Sequence, residues 1–312
     1  STGGNIDLVS GAATNTATGS ININSATTAT AGSGLVNMVT GDSKLNSGSL
    51  SISTGDSSTA KAGDITVSGG SSAANRGSTI SLAAGSSSAS TGGDISLTSG
   101  ISTLAGSSSG DIDILTSDGT STVSSGALLL RTGNAANGNT GNINLLSGDS
   151  SLGNAGSVSI SPGSSKVSGS DMLLSGGSVS TTGTGGDVII TSGVSSSSSS
   201  GAVSIQTANS GSSGVSGEIL LKTGIAAIGT SGSLILSTGV GTVGNAGKIS
   251  LSVGSGVAGK GGNVRISAGT ATNGVGGDIN LSAGSGLSTG GNIDLVSGAA
   301  TNTATGSINI NS

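Results

Sequence analysis

The sequence predicts an all-β fold: a parallel β-solenoid (β-helix) of about 21 units of ~15 residues, with one strand per unit. Three observations lead there. Aliphatic residues recur in pairs spaced i, i+2 along the whole chain, glycines bracket each pair at fixed offsets, and loops of about seven small residues separate one pair from the next.

The aliphatic pairs carry the strand assignment. The unit reads G-x-[aliphatic]-x-[aliphatic]-x-[small]-G, clearest at Gly93-Asp94-Ile95-Ser96-Leu97-Thr98-Ser99-Gly100 and at Gly277-Asp278-Ile279-Asn280-Leu281-Ser282-Ala283-Gly284. The first aliphatic of the unit falls at Ile6, Ile21, Val36, Leu50, Ile65 and Ile80, and the series runs on at intervals of 14 to 17 residues to Ile279, Ile293 and Ile308. In all 21 copies the residue two further on is aliphatic as well. Side chains at i and i+2 share one face of an extended strand. A helix needs i, i+3, i+4 spacing, and glycine at this density would cost a helix about 1 kcal/mol per position.

The brackets and loops follow. Glycine closes the strand in 17 of the 20 complete copies, the departures being Ala26, Ser117 and Ala208. It suits corners that need positive φ or close backbone approach. Loops such as 195–200 and 12–18 hold only small residues, which lets successive turns stack. One unit cannot bury its own Ile/Leu pair, whereas stacked rungs would form a continuous aliphatic ladder with Ser, Thr, Asn and Asp outside. One unit per turn gives a thin rod; two per turn give facing sheets about 10 Å apart. Apolar loop residues (Leu45, Leu104, Leu152, Val167, Ile228, Val243) favour the rod. An antiparallel meander is the fallback, with hairpin loops longer than usual. The solenoid requires rungs about 4.8 Å apart, with Ile95 and Leu97 buried and Ser96 facing out.

Residues 1–312 read as a single continuous repeat domain with a second, longer period. Residues 1–25, STGGNIDLVSGAATNTATGSININS, recur letter for letter at 288–312, an offset of 287 residues holding 19 short units. This suggests tandem 287-residue blocks. A chain that starts in mid-pattern, without a signal-like leader, suggests a processed product or a piece of something longer.

Composition bounds the function. Hydrophobic residues make up 32% of the chain and charged residues 7%, a balance unlike that of highly charged disordered segments. There is no His, Cys, Trp, Tyr or Phe. A catalytic triad would need a Ser–Lys or paired-carboxylate arrangement, and the scattered lysines fall at loop or outward positions, so the chain reads as no enzyme, without catalytic or cofactor-binding residues. The net charge of −5 is dilute, and the nine Lys/Arg form no patch and have no aromatics for base stacking, which argues against nucleic acid. No apolar run approaches the ~18 residues of a membrane span. Asp94, Asp111 and Asp113, with Asp42, Asp56, Asp118 and Asp149, raise structural calcium, but an aspartate after glycine more often caps local amides, so no metal ligand is assigned. The outward positions are too mixed for an ice-binding array.

One outward feature stands apart. The residue between the two aliphatics is polar in most units but becomes Leu129, Leu173, Ile189, Leu220 and Ile235 in the middle of the block. Aliphatics on both faces imply a covered surface, and these five are the candidate lateral assembly surface.

The run of G-D-I-x-L-x-[ST]-G units resembles the Gly/Ser/Thr-rich repeats of filamentous-haemagglutinin-like adhesins, and equally the large repetitive cell-surface proteins of algae and related protists. The resemblance implies a secreted or surface fibre and transfers no functional residue. The expectation is therefore a structural protein of an extracellular or cell-surface filament, whose partners are copies of itself and whose Ser and Thr residues are candidate glycan carriers. The alternative is a surface adhesin or a carbohydrate- or ice-binding module.

Overall fold

The computed structural model describes residues 4–14, 16–119, 122–257, 259–301 and 304–311. The duplicated 25-residue stretches therefore begin, at Ser1, and end, at Ser312, outside the described residues. Among the described residues there is no helix and no β-strand, and this corrects the solenoid expectation. The 15-residue unit survives as a local conformation: an extended segment carrying the aliphatic pair, then a loop that folds back on itself.

The backbone hydrogen bonds give the reason. A solenoid needs ladders linking residues about 15 apart, rung to rung. The bonds present instead close single loops across seven to ten residues, from the amide that opens one extended segment to the carbonyl that ended the previous one. Such bonds are Gly19 N–H to Gly11 O at 3.2 Å, Gly93 to Gly85 at 2.9 Å, Gly110 to Gly100 at 2.9 Å and Gly201 to Gly193 at 2.9 Å. The bracketing glycines, read from sequence as corners between stacked rungs, are thus the two lips of an Ω-like loop. Closing a short loop costs less chain entropy than registering distant rungs. Two aliphatics per 15 residues offer little burial to offset that larger ordering cost.

The chain divides into two units, Ser1–Val158 and Ser159–Ser312. In the first, loops close at Gly11/Gly19, Gly70/Ser78, Gly85/Gly93 and Gly100/Gly110. The Gly100–Gly110 loop also holds a β-turn, in which Ser107 N–H donates to Leu104 O at 3.1 Å and Gly106 takes φ +84°. This is the type II position that strongly favours glycine. In the second unit, loops close at Gly177/Gly186, Gly193/Gly201, Gly269/Gly277, Gly284/Gly291 and Gly298/Gly306.

The residue before the closing glycine sorts the loops. In the nine closed loops it is Ser10, Gly69, Ala84, Ser99, Gly176, Ser192, Ala268, Ala283 or Ser297, never β-branched. Eight loops carry Thr or Val there (Thr40, Thr54, Thr116, Thr132, Thr207, Thr223, Thr238, Val253), and none of these has the closing bond. A γ-methyl occupies the mouth instead: Thr40 Cγ2 lies 3.5 Å, and Thr238 Cγ2 3.5 Å, from where a Cβ on Gly48 or Gly247 would stand. A stiff β-branched side chain at this position therefore goes with an open loop in all eight cases. In two of these loops the hydroxyl compensates, since Thr116 and Thr238 Oγ1 donate to the carbonyls of Gly126 and Gly247, each at 3.2 Å.

A second regularity lies inside the loops. Seven residues after the first aliphatic of a unit, nine loops place a Ser or Thr whose oxygen accepts from an amide two or three residues on. Ser57 Oγ accepts from Ala60 N–H at 3.1 Å, Ser87 from Ser90 at 2.9 Å, Ser150 from Gly153 at 2.9 Å and Ser195 from Ser198 at 2.9 Å. Thr28, Ser43, Ser72, Ser102 and Ser165 do the same. These hydroxyl turns replace backbone partners that the small loops lack. Ser150→Ala is expected to speed hydrogen exchange of the Gly153 amide, a local loss of about 0.5–1 kcal/mol, the low end for such caps. Ser151→Ala should leave that amide unchanged.

Candidate functional site

The aliphatic pairs are not interior. No described residue is buried, so the expected core of Ile and Leu is corrected together with the solenoid. Ile95 is 54% exposed and Leu97 69%. The same graded pattern returns from Ile21 onward, with the first aliphatic about half shielded and the second less so; in the first unit the order is reversed, Ile6 being more exposed than Leu8. The total accessible surface is 30580 Å². A compact chain of 28.5 kDa would show about 11,000 Å² and a fully extended one about 41,000 Å². The extended segments therefore present their apolar side chains to solvent in a repeated, near-uniform array.

The five candidate assembly residues belong to that array. Leu129 lies in the first unit; Leu173, Ile189, Leu220 and Ile235 lie in the second. All five are exposed, Leu173 at 88%, well above Met172 and Leu174 on either side. The same alternation holds at Val188-Ile189-Ile190 and Leu234-Ile235-Leu236. The middle residue is the least shielded of its triplet, as the period of two in an extended segment requires. At Ile219-Leu220-Leu221 the contrast between the last two is lost.

A further apolar row was only partly legible in sequence. In residues 224–287 no hydroxyl turn occurs among the described residues, and the loops carry aliphatic tips instead: Ile228, Val243, Val257, Val275 and Leu287, all essentially fully exposed. Ile228 and Val243 stood out in the sequence as lining for a second wall, a role that requires the absent solenoid. The signal for the complete row was an aliphatic returning near the unit period within the loops.

Charge plays a small part. The ion pair among the described residues joins Lys61 Nζ to Asp64 Oδ1 at 2.9 Å, both side chains exposed, with the second carboxylate oxygen also at 2.9 Å. Pairs of this kind contribute at most about 1 kcal/mol. The aspartates weighed for calcium form no group of three candidate ligands among the described residues, and no helix there is long and apolar enough to cross a membrane. No protein family model matches the sequence, and neither a curated protein nor a solved structure is significantly similar to it.

Proposed function

We propose that this chain is a structural protein whose partners are copies of itself, assembling into an extracellular or cell-surface filament. One observation carries the reading: 21 units present the same aliphatic pair, and none of these pairs is buried within the chain. Soluble proteins seldom leave contiguous apolar surface of this extent uncovered. The chain's own units do not cover it, and a surface repeated at a fixed period is complementary to another copy with the same period. The outward polar positions (Asp7, Asn22, Asn37, Ser51, Thr66) vary in type, which suits a mechanical element better than a ligand-recognising array.

Electron microscopy and sedimentation of the purified chain across a concentration series test the reading. The expected result is a monomer at low concentration that gives way to filaments as concentration rises. A chain that stays monomeric and dispersed at every concentration, with and without salt, would overturn it.

A further inference from the structure

The backbone of the extended segments raises a question the side chains do not. In each unit the residues between the opening and closing glycines have their N–H and C=O groups unbonded to other backbone, because the backbone bonds among the described residues lie at the loop mouths and in one turn. An extended segment with unpaired backbone groups and alternating apolar side chains is an edge strand in search of a partner. Here there are 21 such segments. All but one of them lack proline: Pro162, the single proline of the chain, takes the last position of its segment, between Ile160 and the closing Gly163.

Building on the self-assembly proposed above, we propose that each extended segment pairs by backbone hydrogen bonds with the corresponding segment of a second copy of this chain. The copies are displaced from one another by a whole number of units.

Three features select a second copy as the occupant. The first is area. The accessible surface exceeds that of a compact chain of this mass by roughly 19,000 Å², whereas a stable pairwise interface needs only about 1,600 Å². The second is periodicity. The unit repeats at 14 to 17 residues along the whole chain, so a copy can engage many segments at once, each weak alone and strong in sum. A partner without that period would meet one or two. The third is charge, which also sets the displacement. Seven units carry an acid immediately before the first aliphatic, Asp64, Asp94, Asp111 and Glu218 among them. Parallel pairing without displacement sets all seven against their own counterparts, and like charges directly opposite one another destabilise a strand pair. A shift of one unit leaves only Asp94 against Asp111 and Asp171 against Asp187. A shift of two units likewise leaves two such pairs, Asp64 against Asp94 and Asp187 against Glu218, but it brings Lys248 opposite Glu218 on one side and Asp278 on the other. Displaced pairing leaves free segments at each end of the overlap, which a third copy continues.

The test uses the full chain. Fibre diffraction of assembled material is expected to show the reflection at about 4.8 Å that marks paired strands, and the infrared signature of strand should appear with assembly and vanish on dilution. A variant carrying Ser51→Pro, Ser81→Pro, Ser96→Pro and Ser204→Pro removes amide donors from four segments while keeping every aliphatic. It should need a several-fold higher concentration to assemble. The matched loop variant, Ser58→Pro, Ser88→Pro, Ala136→Pro and Ser197→Pro, should assemble like the parent. Assemblies that lack the spacing, or that tolerate the segment prolines as well as the loop prolines, would overturn backbone pairing while leaving self-assembly intact. A strand signature that persists in the dilute monomer would place the pairing within one chain and also overturn it. Failure to assemble at all would instead remove the filament reading itself.

Discussion

Replacing Leu129, Leu173, Ile189, Leu220 and Ile235 together with serine will abolish assembly of the chain while leaving the dispersed monomer unchanged. The two halves of this result have different causes. In the monomer all five side chains already face water, so shortening them removes no packing, and surface changes of this kind typically alter stability by less than about 0.5 kcal/mol. In an assembly they are the aliphatics added to the outward face of segments whose other face already carries the common pair. Each leucine or isoleucine transferred from water contributes about 1.5–3 kcal/mol. Even if a fraction of that is realised per contact, five sites in every copy shift the association constant by several powers of ten, at about 1.4 kcal/mol for each. Sedimentation velocity at matched concentrations reads the effect. The comparison variant carries Asp7→Ala, Asn22→Ala, Asn37→Ala, Asn263→Ala and Asn309→Ala on the polar flanks, and it should assemble at least as readily as the parent. Assembly that survives the serine variant and fails in the flank variant would assign the main contact to the flanks instead.

The same exposure changes what a charge in the aliphatic row does. If Leu97 were buried in a ladder, Leu97→Asp would bury an unpaired carboxylate at a cost of several kcal/mol. With Leu97 69% exposed, that penalty is absent from the monomer and arises only where a second copy covers the position.

The periodic unit was fully legible in the sequence, and the fold built on it was not. Ile95 and Leu97 at i, i+2 suit a strand whichever partner it has, but no strand forms among the described residues. Nothing in that spacing says what the segment bonds to, because pairing depends on where the loop delivers the chain. Gly93 and Gly100 suit the corners of a stack, but glycine at the end of an extended stretch fits a corner and a loop lip equally well. The decision between the two lies in the loop length and in the residue beside the glycine, short-range features that a repeat period does not encode. The hydroxyl turns were visible as a Ser or Thr two residues beyond the closing glycine, as in Gly55-Asp56-Ser57 and Gly148-Asp149-Ser150. In a chain so rich in serine, one more serine at a fixed offset stands out only once its hydrogen bond is seen. The candidate assembly residues came from the simplest signal of all, an aliphatic where other units are polar, and that signal needs no knowledge of the fold.

The loop mouths give the other large expected effect, because they concentrate the ordered backbone bonds of the chain in places where one methyl decides the outcome. Introducing a β-branched residue before the closing glycine in three closed loops, as Ala84→Val, Ala268→Val and Ala283→Val, is expected to open them. The bonds at stake run from the amides of Gly93, Gly277 and Gly291 to Gly85, Gly269 and Gly284, each at 2.9 Å. Eight loops that already carry Thr or Val at this position lack the bond. In one of them the Val253 Cγ1 methyl stands only 2.7 Å from the place a Cβ on Gly262 would take. A hydrogen bond between largely exposed groups contributes about 0.5–1.5 kcal/mol, so losing it should speed exchange of those three amides by about threefold to tenfold. Amide exchange resolved by nuclear magnetic resonance reads it residue by residue, with Gly201 and Gly306 as unchanged internal references. The converse change, Thr238→Ala, is the weaker test, because loops beginning at Ala26, Gly148 and Gly163 remain without the bond although no branched side chain blocks them. All nine closed loops have an unbranched residue at this position, and none of the eight loops with a branched one is closed. If the three valine variants keep their slow amides, the methyl wedge is not what sorts open loops from closed ones.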